Sequence, residues 1–189
     1  MTNYCHDLKI PKERIAVLIG TEGQTRDLIE KNTDTKITVN SHEGDVHVEG
    51  ADAIRLFTSR EIIKAIGRGF NPEIALQLNK SDYCFELISI MDFAKTKKDV
   101  IRLKGRVIGS EGKSRKAIET LCEVSISVYG KTVGIIGEAQ RVGIARRAIE
   151  SLLSGSPHAN VYKWLEKQRR DIKKIELLGP ALFKEEFKE

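Results

Sequence analysis

Apolar positions along this chain fall into short blocks whose period changes from block to block. In "CHDLKI" and "CFELISIM" they crowd into brief runs, predicting strands at about 5–10 and 84–91. The blocks at 12–19 and 99–108 carry helical spacing and break at a glycine. A second helix follows each break with one apolar face: Leu28 and Ile29 in one case, Ala117, Ile118 and Leu121 in the other. Alternation resumes at Ile37 and Val39, and at Val124, Ile126 and Val128, which marks further strands. "DVHVEG" and "TVGIIG" predict short third strands. Longer helices are expected over about 51–66 and 138–154, the latter stopped by "GSP" at 155–157.

The two sets are copies of one another. Shifting the chain by 89 residues lays "LIGTEGQTRDLIEKNTDTKITV" (18–39) on "VIGSEGKSRKAIETLCEVSISV" (107–128), with nine of 22 positions identical. Among the identities are both glycines of each break, Glu22/Glu111, Arg26/Arg115 and Glu30/Glu119. The pattern is an α+β chain of two tandem modules, each β-α-α-β-β-α, expected at 1–75 and 76–156. The remainder, 157–189, reads as a basic C-terminal helix and tail. From about Asn160, the positions Val161, Leu165, Gln168, Ile172 and Ile175 form one stripe with Trp164 beside it. Residues 160–174 hold six basic side chains against two acidic ones, so this helix is expected to dock on the second module and extend its positive surface. After Gly179–Pro180, "ALFKEEFKE" is expected to fray or serve as a short partner motif.

Charge is distributed unevenly. The chain has 189 residues, 31% of them charged, with a net charge of +5. Residues 1–80 hold 11 Lys or Arg against 12 Asp or Glu, residues 81–155 hold 13 against 9, and residues 156–189 hold 8 against 6. The positive excess therefore lies in the second half and leans toward a polyanionic partner. Cys5, Cys84 and Cys122 are odd in number and widely spaced, which argues against a disulfide framework or zinc ribbon and suits a reducing, cytoplasmic setting. The N-terminus lacks the apolar core of a signal peptide, and no apolar run approaches the ~20 residues that span a bilayer, so no membrane partner is expected.

The chemistry concentrates at the two glycine pairs. A helix start presents unpaired N–H groups to an anion, and flanking glycines let the backbone approach it closely. "GKS" at 112–114 matches the end of a nucleotide-binding P-loop, but the first glycine of that motif would fall on Val107, and the loop follows a predicted helix instead of a strand. Gly-x-x-Gly between two helices, with "IG" at its start and Ile six residues after its last glycine, resembles the K-homology (KH) RNA-binding domain of the eukaryotic type. The likeness covers most of residues 4–155, twice. It implies a loop that clamps about four nucleotides of a single strand. It also implies an apolar groove for the bases, closed on its far side by the turn between the second and third strands.

Under that resemblance the loop residues Gly109, Ser110, Glu111 and Gly112 meet RNA, followed by Lys113, Arg115 and Lys116. Arg102, Lys104 and Arg106 on the preceding helix and Lys131 in the strand-connecting turn join them. The first copy offers Gly20, Thr21, Glu22, Gly23 and Arg26. RNA-gripping loops of this family usually carry Lys or Arg between the glycines, whereas these carry Thr21–Glu22 and Ser110–Glu111. A carboxylate there weakens the hold unless it points away. With more cations around it, the second module is expected to be the main grip, and the first a weaker or protein-facing partner.

"RLKGRVIGSEGKSRKAIE", "ISVYGKTVGIIG" and "GSPHANVYKWLEKQRRDIKK" together resemble the archaeal members of the partner-of-Nob, or Dim, family of small-subunit assembly proteins. That resemblance implies a non-catalytic factor bound near the three-prime end of small-subunit rRNA. Its implied partners are a Nob-type PIN endonuclease and other ribosome assembly or translation factors. A KH protein of mRNA regulation or RNA turnover, a nucleotide switch and a protein scaffold stand as alternatives. No catalytic constellation, metal site or cofactor is expected. Cys5, His6 and Asp7 are adjacent on one strand, His42 and His47 are an isolated pair, His158 is expected to bond locally, and Cys84 and Cys122 occupy apolar positions.

Overall fold

Order in the chain follows the predicted pattern closely. In the computed structural model, residues 4–185 are described, with side chains through residue 177. The first module runs β1 (Tyr4–Lys9), α1 (Lys12–Ile19), a 3-10 turn (Thr21–Gly23), α2 (Gln24–Thr33), β2 (Thr35–Asn40), β3 (Asp45–Gly50) and α3 (Ala53–Gly67). A short α4 (Pro72–Ala75), extended by a 3-10 turn (Leu76–Asn79), connects to the second module. There β4 (Tyr83–Ser89), α5 (Lys97–Ile108), a 3-10 turn (Ser110–Gly112) and α6 (Lys113–Cys122) repeat the order. They are followed by β5 (Ser125–Tyr129), β6 (Thr132–Glu138), α7 (Ala139–Leu153) and a long α8 (His158–Glu185). Both sheets are antiparallel and place the last strand in the centre, β1-β3-β2 and β4-β6-β5.

Local chemistry explains several identities of the repeat. Glu30 accepts the Ile37 amide at 2.6 Å and Glu119 the Ile126 amide at 2.8 Å, so each glutamate ties the middle helix to the edge strand beside it. The helix after each hairpin ends under an arginine clamp. Arg14 donates to the carbonyls of Ile66 and Phe70, and Arg106 donates to those of Leu152 and Ser156. The two pairs of carbonyls are equivalent, 86 residues apart, while the arginines sit one helical turn apart in the aligned repeat. Such bonds satisfy carbonyls that a helix end leaves unpaired.

Neither module is closed by its own helices. The connector lays Ala75 and Leu78 into the first core, and α8 lays Val161 and Leu165 into the second. Leu28, expected to face inward, is instead 46% exposed and lies with Leu76 along the seam made by the connector. The apolar stripe of α8 is buried only over its first two turns, since Ile175 is 60% exposed. Arg141 pins the later part of α8, reaching Glu123 at 2.8 Å, Glu138 at 2.9 Å and Glu176 at 3.1 Å. The helix continues through Gly179–Pro180 to Glu185, where the sequence predicts fraying or a short partner motif, and residues 186–189 lie outside the described part.

The two modules pack through the outer face of the second sheet. In β6 five consecutive residues, Val133 to Gly137, are buried, because alternate positions face the module's own helices and the first module. Ile136 belongs to the first module's core, and Phe70 meets Phe85 edge to face with ring centroids 5.9 Å apart. A Cβ on Gly134 would stand 2.7 Å from the Phe70 ring, so this glycine sets how closely the modules approach. Ser127 donates to the Arg68 carbonyl at 2.9 Å, and the Tyr129 hydroxyl donates to Glu13, which holds its phenol above the ordinary value.

Phe70→Ala should cost about 3–5 kcal/mol. It should also turn one denaturant transition into two, read by circular dichroism, because the buried ring joins the modules. Burial pushes the Cys122 thiol up to about 12, and desolvation followed by the charge of Glu86 raises that of Cys84. At neutral pH, thiol titration of the folded protein should therefore report fast reaction at exposed Cys5 alone.

Candidate nucleic-acid interface

Both glycine pairs fold into the same wedge. Gly20 and Gly109 take φ near 73°, and a Cβ on them would lie 2.3 Å from the Thr25 hydroxyl oxygen and 2.6 Å from the Ser114 Cβ, respectively. The following helix thus starts directly against the loop, which only glycine permits. Glu22 and Glu111, at φ 54° and 53°, are left-handed non-glycine residues, a strained choice that holds the turn open. In the second loop the Gly112 amide donates to the Gly109 carbonyl at 3.3 Å. The amides of Ser110 and Glu111 find no backbone acceptor among the described residues. Unpaired amides at a helix start are the kind of donor that an anion takes.

The copies differ in what stands around that wedge. Nothing lies within 4 Å of a Cβ position on Gly112, whereas Gly23 is buried, with the Arg26 guanidinium 3.3 Å from its Cβ position. Arg26 lies 2.8 Å from Asp27, so the first loop's nearest cation stands beside an acid that the second loop lacks at the matching position. In the second loop Glu111 turns back toward Lys113, 3.2 Å away, and both side chains are exposed. An exposed pair of this kind contributes little and yields readily to a phosphate.

The predicted cations of the second module do not share one face. Lys113 and Lys116 lie with Ala117 and Leu121 along a groove between α6 and α8, where Tyr162 and Glu166 form the opposite wall. Arg115 turns to the other side, 3.7 Å from Glu119, and its Nε is buried without a hydrogen-bond partner among the described residues. Beneath the loop the Ser114 hydroxyl is likewise buried and unpartnered. Arg102 pairs with Asp99 at 3.2 Å on exposed helix surface, Lys104 is half-buried, and Lys131 is exposed in the turn between β5 and β6. Arg106 departs from the expectation: its guanidinium is spent on the Leu152 and Ser156 carbonyls, which removes it from the surface a strand could reach. His158, expected to bond locally, reaches the Arg106 carbonyl at 2.8 Å and closes the same cap.

Sequence reasoning missed Tyr162, because nothing in a pattern of helix and strand says which face of α8 lies beside α6. Among the described residues no group of three or more His, Cys, Asp or Glu could hold a metal, and His47 is paired across the sheet with Asp7 at 2.6 Å. No helix among them is long and apolar enough to cross a membrane.

Two helices joined by a glycine wedge, on a sheet whose last strand is central, define a type I KH domain, and this chain carries two. Residues 84–170 match the model of the eukaryotic type KH domain, type I, in its version for the second domain of PNO1, and residues 6–68 match the KH domain model. A KH domain-containing protein of Methanocaldococcus jannaschii is 48% identical over 88% of this chain and 75% of its own length. Crystal structures of Dim2p from Pyrococcus horikoshii superpose well. One has a TM-score of 0.82 at 45% identity, covering 87% of this chain and 99% of that one. Another, in a complex with a/eIF2alpha and rRNA, has a TM-score of 0.84 at 44% identity, covering 89% and 96%. The RNA-binding protein PNO1 of Oryzias latipes is 33% identical over 60% of this chain, which spans about half of that longer relative, 48% of its length. This chain belongs to the archaeal Dim2p/PNO1 family of tandem KH proteins.

The division between cap and contact is measurable. Arg106→Gln should destabilise the protein by about 2 kcal/mol and leave the salt dependence of RNA binding unchanged. Lys113→Gln should leave stability unchanged and lower the salt slope by about 0.7. Equal slopes for the two variants would reassign Arg106 to the strand.

Proposed function

We propose that this chain is a non-catalytic, single-stranded RNA-binding factor of small-subunit ribosome assembly. It acts through two modules, 1–75 and 76–156, and a basic C-terminal helix and tail, 157–189. The second module is the main grip: the Ser110 and Glu111 amides take a phosphate, and Lys113, Lys116, Lys104, Arg102 and Lys131 deepen the local field. The observation that carries this reading is the uncovered wedge at Gly112, with nothing near its Cβ position, where its counterpart Gly23 is buried beside the Arg26 guanidinium.

The target is small-subunit rRNA near its three-prime end. In support, the Pyrococcus horikoshii relative is described in a complex with a/eIF2alpha and rRNA, and fungal relatives are named pre-rRNA-processing proteins. A Nob-type PIN endonuclease and other assembly or translation factors are the protein partners of the same proposal. The nucleotide-switch alternative is disfavoured because the loop joins helix α5 to helix α6 and residue 107 is a buried valine, where a P-loop needs a strand and a glycine.

Replacing both Ser110 and Glu111 by Asp should weaken binding of a small-subunit rRNA three-prime oligonucleotide by at least about tenfold, or 1.4 kcal/mol. The same change at Thr21 and Glu22 should cost less than about twofold by fluorescence anisotropy. Equal losses at the two loops, or none at either, would overturn the assignment.

A further inference from the structure

The first module has no net positive charge to offer, with 11 Lys or Arg against 12 Asp or Glu in residues 1–80. Five of those 11 nevertheless converge on one depression of about 670 Å³, where Lys9, Lys12, Arg60, Lys64 and Arg68 stand with a single lining acid, Glu43. Leu8, Ile10 and Pro11 give it an apolar lining. Three of the cations answer to acids: Lys9 lies 3.1 Å from Asp45, and Arg60 and Lys64 lie 2.9 Å and 3.7 Å from Glu61. Lys12 and Arg68 form no ion pair among the described residues. The carbonyl end of α3 borders this depression and would repel an anion, but Arg14 takes the Ile66 and Phe70 carbonyls at 2.8 Å and 2.7 Å.

Its place in the fold gives the depression a ligand. Arg68 precedes Gly69, where a Cβ would stand 3.1 Å from the Tyr129 Cβ, and the Arg68 carbonyl takes the Ser127 hydroxyl. Lys12 precedes Glu13, which takes the Tyr129 hydroxyl. Tyr129 opens the Gly130–Lys131 turn, whose Lys131 belongs to the grip proposed for the second module. The basic depression therefore lies next to that turn, across the module boundary.

The geometry points to a second RNA subsite here: the single strand gripped at 109–112 continues past the turn at 129–132, its phosphates on Lys12 and Arg68 and a base on Leu8 and Pro11. Cations over an apolar floor suit a phosphodiester strand, whose charge and bases alternate. An acidic peptide would meet the same cations, but it would gain nothing from a strand already held at the second loop. The inference rests on the second loop being the main grip, and it gives the first module an RNA contact that does not use its own glycine loop.

The test uses the full chain and single-stranded small-subunit rRNA three-prime oligonucleotides. One is about six nucleotides long, enough for the second module's groove, and others are extended by about six at one end or the other. Extension at one end should tighten binding. Lys12→Gln/Arg68→Gln should cancel that gain and lower the salt slope for the long RNA by about 1.4, two single-strand phosphates, while the short RNA is unaffected. Lys12→Gln alone, at an exposed side chain, should remove about half of that slope, and thermal melts identify a double variant that fails to fold. A short RNA that binds with no gain on extension, or an equal loss for both lengths, overturns the subsite and leaves the second-loop grip standing. No binding of the short RNA to the wild-type chain overturns the grip, and the subsite with it. Binding of a polyglutamate peptide at Lys12 and Arg68, without any RNA gain, would replace the strand by an acidic protein partner.

Discussion

A three-stranded sheet with helices on one side leaves its other face bare, and in the second module that face is too apolar to remain so. Phe85 and Ile136 project from it, and Gly134 leaves a hollow between them. The end of α3 fills the hollow with Phe70, and burying a side chain of that size contributes about 1.5–3 kcal/mol. Because Gly134 has no Cβ, the two modules meet at van der Waals distance in one orientation. The relative placement of both glycine loops and of the turn at 129–132 against α1 follows from that contact.

The paired loops separate geometry from charge. Backbone angles agree within a few degrees between Gly20 and Gly109 and between Glu22 and Glu111, so each copy offers the same two amides in the same turn. What differs is the side-chain setting. Asp27 occupies the position that is Lys116 in the second copy and engages Arg26 beside its own loop. One acid in place of one lysine sets a carboxylate against Arg26 at the first helix start, without altering the fold.

Closure of each module by the segment that follows it is a second shared device. The connector in one case and α8 in the other fill the seam between the middle helix and the last helix, entering after Gly69 or Gly155 in left-handed conformation. The repeat thus extends beyond the minimal β-α-α-β-β-α unit. In the first module the covering segment is short and leads onward. In the second it is prolonged into a basic helix anchored by Arg141, and a groove with Lys113 and Tyr162 results.

The residue pattern by itself determined the element order, the duplication and both glycine wedges, since these depend on periodicity and backbone permissiveness within a few residues of each other. It also told the two loops apart, because Asp27 and Lys116 are adjacent to them in the chain. It misassigned Arg106 and Leu28 and gave no notice of the depression at Lys12 and Arg68. Each of these depends on a neighbour 40 or more residues distant: the Leu152 carbonyl, the connector at Leu76, the second module at Tyr129. A long side chain on an amphipathic helix reads alike whether it reaches solvent, a phosphate or a buried carbonyl. Only packing settles which of the three it meets, because desolvation and hydrogen-bond partners are properties of the assembled tertiary surface.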